Sequence, residues 1–589
     1  MSTLNTKQRY DDKIVAQLFL SLLPAQIFAA LSGTLGNLIN GIIIGNNLSS
    51  SSMAAVGLVG PLNAIIAALS MIVSGGTKIL CSRYLGQGDI KKINESIETS
   101  INILLCLGIL LSIIGFAFAT QISVLLGASE VTIFETTAYI RGLSFGFIFA
   151  LLTPCLMVFT QLKNDSNFTL ISSVLFALFN FVLTFTFVKY LKMGIYGAGI
   201  ATSLAQFFTS LLLWLKGRKS NYFNRLKLSI NNELVKQICI MGCPAAIASI
   251  LYPLRNIILN SLANKIGGES AVVALAILNS CGGLFDSFNI GVISTCVLLM
   301  ALAVGEKNRD FFHNTFRYNV KIGLIIGFTK IFIIFLFSQK IASLFGATGT
   351  NAVLASDLLR YYSLSMPVNM IAAGLINTYQ TTGKLKQVNI LNLFSAFIIP
   401  VASAFILGNI IGVTGIWLCY LIPEIVIVLY FIIKSYIANK RFPNSVESLL
   451  MISDSLITTK SISFNVTKMD ELSELSSIVN EFLTDQGVDS KLCYFGSLCV
   501  EETARNIIEL AFPKDRKKNH DINVFVMITD DGFMIRLRDN AVAFNQVELI
   551  NIYNPDNPIE NIGIKMVSKL SKGVFYHITF GMNILTILF

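Results

Sequence analysis

Three ionisable side chains stand inside long apolar runs: Arg255 in ILYPLRNIILN, Asp286 in CGGLFDSFNIG and Glu424 in YLIPEIVIVLY. A charge is costly in hydrocarbon and by default marks an ion or substrate route. A carboxylate there can take up and release a cation, which makes Asp286 and Glu424 candidate coupling acids. An alternative stays open, in which Arg255 pairs with a carboxylate and merely ties helices together. Asn37, Asn40, Asn256 and Asn260 offer amide oxygens that either line a cavity or bond between helices, and Asn40 is expected to line it. A second group lies far along the chain. EETARNIIE puts Glu502 one turn before Asn506 on the same helix face, and RLRDNAVAFN puts Asp539 directly after an alternating strand.

The elements that position the first group are membrane spans. The 589 residues are 54% apolar and 13% charged, a composition that excludes an ordinary soluble enzyme. About 20 residues cross the ~30 Å of hydrocarbon. Twelve runs of that kind fall at 16–44, 53–80, 97–121, 134–162, 168–188, 197–216, 234–261, 270–300, 318–338, 353–380, 389–409 and 414–436. Alternate breaks are rich in Lys and Arg, such as Arg83, Lys91, Lys92, Arg218, Lys307 and Lys384. Cytoplasmic loops carry this excess, so both termini are expected in the cytoplasm of a multi-pass protein of the plasma membrane. The net charge of +10 is spread over these short breaks with no basic face, which argues against a nucleic-acid partner. Ten cysteines without paired CxxC spacing and three distant histidines give neither a zinc site nor a disulfide framework.

The first six runs repeat in the second six. Pro24-Ala25 recurs as Pro244-Ala245, Asn40 as Asn260, Arg141 as Arg360 and Gln161 as Gln380, with the offset held between 218 and 220. Glu424 corresponds in this repeat to Gln206, so one half carries an acid where the other carries an amide. Equal span numbers give the two halves the same orientation, as in transporters built from parallel repeats around a central cavity. The expected organisation is an N-terminal tail (1–15), an N-lobe (16–216), an inter-lobe loop (217–233), a C-lobe (234–436), a linker (437–460) and a soluble domain (461–589). The soluble domain has its own signature: it carries a net charge of −5 against +15 for the rest, and strand-like ISFNVTK, INVFVMITD and FMIRLRD surround the helical LCYFGSLCVEETARNIIELAF.

NLINGIIIG, MAAVGLVGPL and SRYLGQGD, set in two six-span halves, resemble the multidrug and toxic compound extrusion (MATE) family over roughly residues 14 to 440. The resemblance implies an all-α polytopic fold and export of amphipathic, often cationic small molecules, driven by H⁺ or Na⁺ entering through a V-shaped cavity. The chain departs from the family at three places. Asn40 stands where members commonly carry aspartate, Tyr252 falls at a glutamate of some Na⁺-dependent members, and Met366 falls near an aspartate of the tenth span. An amide does not titrate near neutral pH, but it can still present an oxygen to Na⁺ or a ligand.

From about 465 to 589 the order of pieces resembles the GHKL (histidine-kinase-like) ATP-binding domain of histidine kinases and small anti-sigma serine kinases, an α/β sandwich. The resemblance implies ATP and Mg²⁺ as cofactors. Glu502 would be the activating carboxylate and Asn506 the Mg²⁺ ligand. Asp539 would accept from the adenine amino group, Gly563 would admit the phosphates, and Asn583 in GMNILTILF would complete the binding set. Leu510, Ala541 and Asn561 depart from the family's histidine and glycines. The function implied is a cation-coupled exporter with a regulatory nucleotide-binding tail. The alternative is a transporter-like receptor whose tail phosphorylates or sequesters a cytoplasmic regulator, or is a degenerate domain kept for docking to it. The lack of a GxxxxGK[ST] loop argues against a third class, an ATP-driven pump.

Overall fold

The computed structural model describes residues 11–162, 165–218, 231–452, 460–514, 520–529, 532–549 and 562–589. The N-terminal half contains α1 (Asp11–Asn47), α2 (Ser50–Leu58), α3 (Gly60–Gln87), α4 (Ile90–Ala117), α5 (Ala119–Leu125), α6 (Ile133–Ser144), α7 (Phe147–Leu162), α8 (Ser166–Phe185) and α9 (Gly194–Arg218). The second half contains α10 (Asn232–Glu306), α11 (Arg309–Leu344), α12 (Gly349–Thr381), α13 (Leu385–Leu393), α14 (Ile399–Ile411), α15 (Val413–Trp417) and α16 (Ile422–Asn439). Among the described residues nine helices are long and apolar enough to cross a membrane, or ten if α6 and α7, bent by 47°, form one span.

The difference from twelve runs has identifiable causes. Helix α10 holds the seventh and eighth runs in 75 residues, about 110 Å if straight at 1.5 Å per residue. It breaks at Gly268, whose φ of 65° and ψ of −161° are accessible to glycine and end one arm before the next begins. The tenth run is α12, a helix whose Ser, Thr and Asn make it less apolar than the nine. The α6–α7 bend falls at Phe145-Gly146, eight residues before Pro154, which lies inside the continuous α7.

The two halves meet through glycines at one end of the bundle. A Cβ on Gly76 would lie 2.0 Å from the Ile238 carbonyl oxygen, and one on Gly242 would lie 1.8 Å from that of Ile72. Further along, a Cβ on Gly86 would lie 2.4 Å from the Leu302 oxygen and one on Gly305 would lie 2.1 Å from the Arg83 oxygen. Helix α3 therefore runs backbone to backbone against both arms of α10. Across the same seam the Arg83 guanidinium donates to the Thr381 carbonyl, and the Tyr84 hydroxyl to Gln237 Oε1 at 3.1 Å.

The rest of the chain folds onto this end. Short α17 (Val446–Leu450) buries Leu450 in the bundle core. Then follow β1 (Ser461–Val466), α18 (Leu472–Asp485), α19 (Ser490–Asn506), β2 (Ile522–Thr529), β3 (Gly532–Asp539), α20 (Gln546–Leu549), α21 (Ile562–Leu570), β4 (Gly573–Thr579) and β5 (Met582–Leu588). The five strands form one antiparallel sheet in the order β1-β2-β3-β5-β4. Period-two alternation sorts its faces. Val524, Val526, Ile535, Leu537, Leu585 and Ile587 pack with Leu475, Val479 and Val500 of α18 and α19. Phe525, Met527, Met534, Arg536 and Arg538 occupy the other face and are also buried.

Candidate functional site

The second half gathers a polar network between α10, α11, α12 and α16. Asp286 accepts a short hydrogen bond from the Tyr362 hydroxyl. Glu424 Oε1 accepts from Asn369 Nδ2 at 3.0 Å, and Asn369 Oδ1 in turn accepts from Asn289 Nδ2 at 3.5 Å. Asn289 Oδ1 is bonded by the ammonium of Lys330, which also donates to the Phe285 carbonyl at 3.2 Å. Arg255 stacks its guanidinium over Tyr252 at 5.0 Å and Tyr420 at 5.2 Å, and the Tyr420 ring meets Tyr362 edge to face. Among the described residues Arg255 makes no ion pair with a carboxylate, and two tyrosine faces stack against its guanidinium. Two acids and two cations thus share one pocket of tyrosines and asparagines. Asn256 Nδ2 donates to Asn279 Oδ1 at 3.3 Å nearby, and Asn260 is half-buried one turn further.

The corresponding region of the first half has no acid in its described network. Asn40 is buried, donates to Thr202 Oγ1 at 2.9 Å, and accepts from Asn180 Nδ2 at 3.2 Å and Thr184 Oγ1 at 3.1 Å. It joins α1, α8 and α9 through these three hydrogen bonds, whereas Asn37 is exposed. Gln206 accepts from Thr153 at 3.2 Å. Between the halves, the Lys78 ammonium donates to Ser294, Ser294 to Gln26 Oε1 at 2.7 Å, and Gln26 to Gln161.

Lys330 and Lys78 are functional candidates that sequence reasoning passed over. The signal was present: Lys78 is the one charged residue between Lys13 and Arg83, and Lys330 the one between Lys321 and Lys340. The partners Asn289, Asn369 and Tyr362 had no such signal, because amides and tyrosines are ordinary in these helices.

In the C-terminal domain the alternation of β3 and β5 puts Asp539 and Asn583 side by side on the helix face. Asp539 Oδ1 accepts from Asn583 Nδ2 at 2.7 Å and from the Ala541 N–H at 3.0 Å. Its other oxygen has no hydrogen-bond donor among the described residues. Burial pushes the Asp539 carboxyl up to about 6, against the opposing pull of those two donors. On α19, Glu502 lies 3.4 Å from Arg505, and Asn506 Nδ2 meets Gln546 Oε1 at 3.4 Å while its Oδ1 has no partner among the described residues. Gly563 is in the first turn of α21, and Asn561 lies outside the described residues.

The family model described as MatE matches twice, over residues 25–186 and 244–406, together more than half of the chain. Its two starts differ by 219 residues, inside the offset of the internal repeat. The chain is 24% identical over 433 residues to a probable multidrug resistance protein, YoeA, of Bacillus subtilis, covering 71% of this chain and 92% of that one. It is 23% identical over 432 residues to the multidrug export protein MepA of Staphylococcus aureus, with 71% and 94% covered. Among solved structures, a MATE protein in complex with MaD5 superposes with a TM-score of 0.67 at 23% identity over 76% of this chain and 98% of that one. An outward-facing multidrug resistance MATE transporter gives 0.65 at 23% identity, covering 74% and 96%. The C-terminal sheet lies beyond the residues matched by the family model, and nothing in these likenesses assigns it a fold family. A doubled match in register with the residue repeat leaves one assignment for the helical part: this chain belongs to the MATE family of multi-pass membrane transporters.

Proposed function

We propose that the protein is a twelve-span antiporter of the plasma membrane, with both termini cytoplasmic, that exports amphipathic cationic small molecules by alternating access in exchange for H⁺ or Na⁺. The observation that carries this reading is the network of Asp286 and Glu424 with Lys330 and Arg255. With both acids ionised, its two positive and two negative charges balance. A cation bound by either acid leaves a surplus charge in a low-dielectric setting, which is costly unless another cation departs or the pocket opens to water. Coupling ion and cationic substrate then compete for the same carboxylates, and competition of that kind is the chemical basis of exchange. Asn40, an amide that does not titrate and whose oxygen already accepts two hydrogen bonds, supports placing coupling in the second half rather than the first. The names of YoeA and MepA support drugs as the substrate class.

The tail fits a nucleotide in two respects: one oxygen of Asp539 and Oδ1 of Asn506 are without protein partners among the described residues, as an adenine amino group and Mg²⁺ would require. ATP there would supply a phosphoryl group, and Glu502 would orient an acceptor hydroxyl. A cytoplasmic regulatory protein is the partner such a tail would address. Proteoliposomes with imposed H⁺ or Na⁺ gradients test the transport reading. Failure to move any of a broad panel of amphipathic cations sinks it, and would favour the receptor alternative if ATP still bound.

A further inference from the structure

A sheet with helices on one face ordinarily leaves its other face to water, yet here that face is shut. The side chains of Arg536 and Arg538 are 6% and 4% exposed, and their partner Glu306 is 2% exposed. Arg538 bonds the Glu306 carboxylate and lays its guanidinium 5.0 Å from the Phe311 ring. Arg536 reaches both halves of the bundle. Its Nη2 donates to the Gly86 carbonyl at 2.9 Å in the last turn of α3, and its Nη1 stands 3.5 Å from Glu306 at the end of α10. Beside them Phe580 and Met582 join the bundle's own apolar core, and Asn540 reaches Gln17 of α1 at 3.4 Å.

Charge explains why two arginines meet one glutamate. Helices α3 and α10 both terminate here, and each C-terminus presents roughly half a negative charge. With the Glu306 carboxylate, about two negative charges face two guanidinium groups. The same termini belong to the backbone-to-backbone seam between the halves, where Gly86 meets Leu302 and Gly305 meets Arg83. When the halves part at this end, Gly86 and Glu306 separate. Arg536 can follow one of them and must abandon the other, leaving a desolvated charge or carbonyl without its partner.

We infer that the C-terminal domain is a bolt across this seam: docked, its sheet holds the end of the transporter closed, and the bundle opens there after β3 has let go of Gly86 or Glu306. This rests on the alternating-access reading and adds an element to it, since the bolt lies outside the part of the chain shared with the MATE family.

Hydrogen exchange of the full-length protein in nanodiscs, read by mass spectrometry, tests the bolt without requiring transport. In the variant carrying Arg536→Ala and Arg538→Ala, peptides over residues 80–88 and 300–308 are expected to exchange about tenfold faster, the scale of a lost charged hydrogen bond. Arg536→Lys with Arg538→Lys, which keeps the charge, is expected to restore part of the protection. Faster exchange over 573–588 with unchanged exchange over 80–88 and 300–308 overturns the proposal, because the domain would have come away without loosening the seam. Should the alanine variant fail to fold, Glu306→Cys with Arg538→Cys, joined by a reducible bis-thiosulfonate linker, gives a second reading. Linked protein is expected to lose transport at least tenfold and recover on reduction, relative to wild type given the same reagent. Full transport by the linked protein also overturns the proposal. Absent transport in unlinked wild type counts against the exporter reading alone, and exchange at the seam then decides the bolt.

Discussion

The seam between the halves can be tested with one methyl group. Gly242 faces the backbone of Ile72, and a Cβ there would lie 1.8 Å from a carbonyl oxygen. Restoring an ordinary contact of about 3.4 Å requires α3 and the first arm of α10 to part by roughly 1.5 Å, and backbone offers no flexible end to swing aside. Forced insertion of this kind typically costs about 1–3 kcal/mol, so Gly242→Ala should lower the closed population about 5- to 150-fold. Two native thiols report on it, Cys239 and Cys243, both half-buried within one turn. Maleimide labelling of these two, followed by mass spectrometry, should accelerate by a comparable factor in Gly242→Ala, and exchange transport should slow. Gly33→Ala is the control: nothing lies within 4 Å of its Cβ, and alanine in place of a helical glycine is favourable by about 1 kcal/mol. Equal labelling and transport in Gly242→Ala and wild type would refute the tight seam.

Three further outcomes follow from the geometry. Asn40→Ala removes the acceptor shared by Asn180 and Thr184, so thermal unfolding in detergent should show a loss of about 1–3 kcal/mol, with a smaller loss in Asn40→Asp, which keeps the acceptor. An Asn40→Ala protein of unchanged stability but abolished transport would instead make the residue a ligand. Nucleotide affinity of the full chain should be constant above pH 7 and fall about tenfold per pH unit below about 6, because Asp539 must be ionised to accept a hydrogen bond and burial places its titration there; calorimetry giving a flat profile from pH 7 to 5 removes Asp539 from the site. His577 is pushed down to about 4 by burial first and then by Arg536 and Arg538, against the pull of Glu306. The undocked imidazole takes a proton below its ordinary value of about 6.5, so docking is complete above that pH and weakens as pH falls toward 4. Spin-label distances between Lys91→Cys and Phe575→Cys should lengthen over that interval, and should not do so with His577→Ala.

Much of the architecture was legible because hydrophobic periodicity and repetition act over long windows. The runs, the repeat offset and the strand alternation around Asp539 are all patterns of residue type along the chain and need no knowledge of contacts. Asp286, Glu424 and Arg255 were visible as charges in apolar surroundings, and the structure brings them into one region with Lys330. What sequence left out depends on contacts between distant positions. Glu306, Arg536 and Arg538 carry no local signal of their pairing, because the fold places them against each other across more than two hundred residues. The break at Gly268 was likewise invisible as a conformation, since two glycines in KIGGES announce a turn without fixing which one adopts positive φ.

On this proposal a cationic compound exchanges against an inward cation through the Asp286 and Glu424 network. The most direct measurement is movement of a fluorescent amphipathic cation in proteoliposomes of the full chain under an imposed H⁺ or Na⁺ gradient, compared between wild type and Glu424→Gln. The expected result is gradient-dependent transport in wild type and a loss of at least tenfold in Glu424→Gln, with binding of the compound retained in part. Gradient-driven transport of equal rate in both proteins would contradict it.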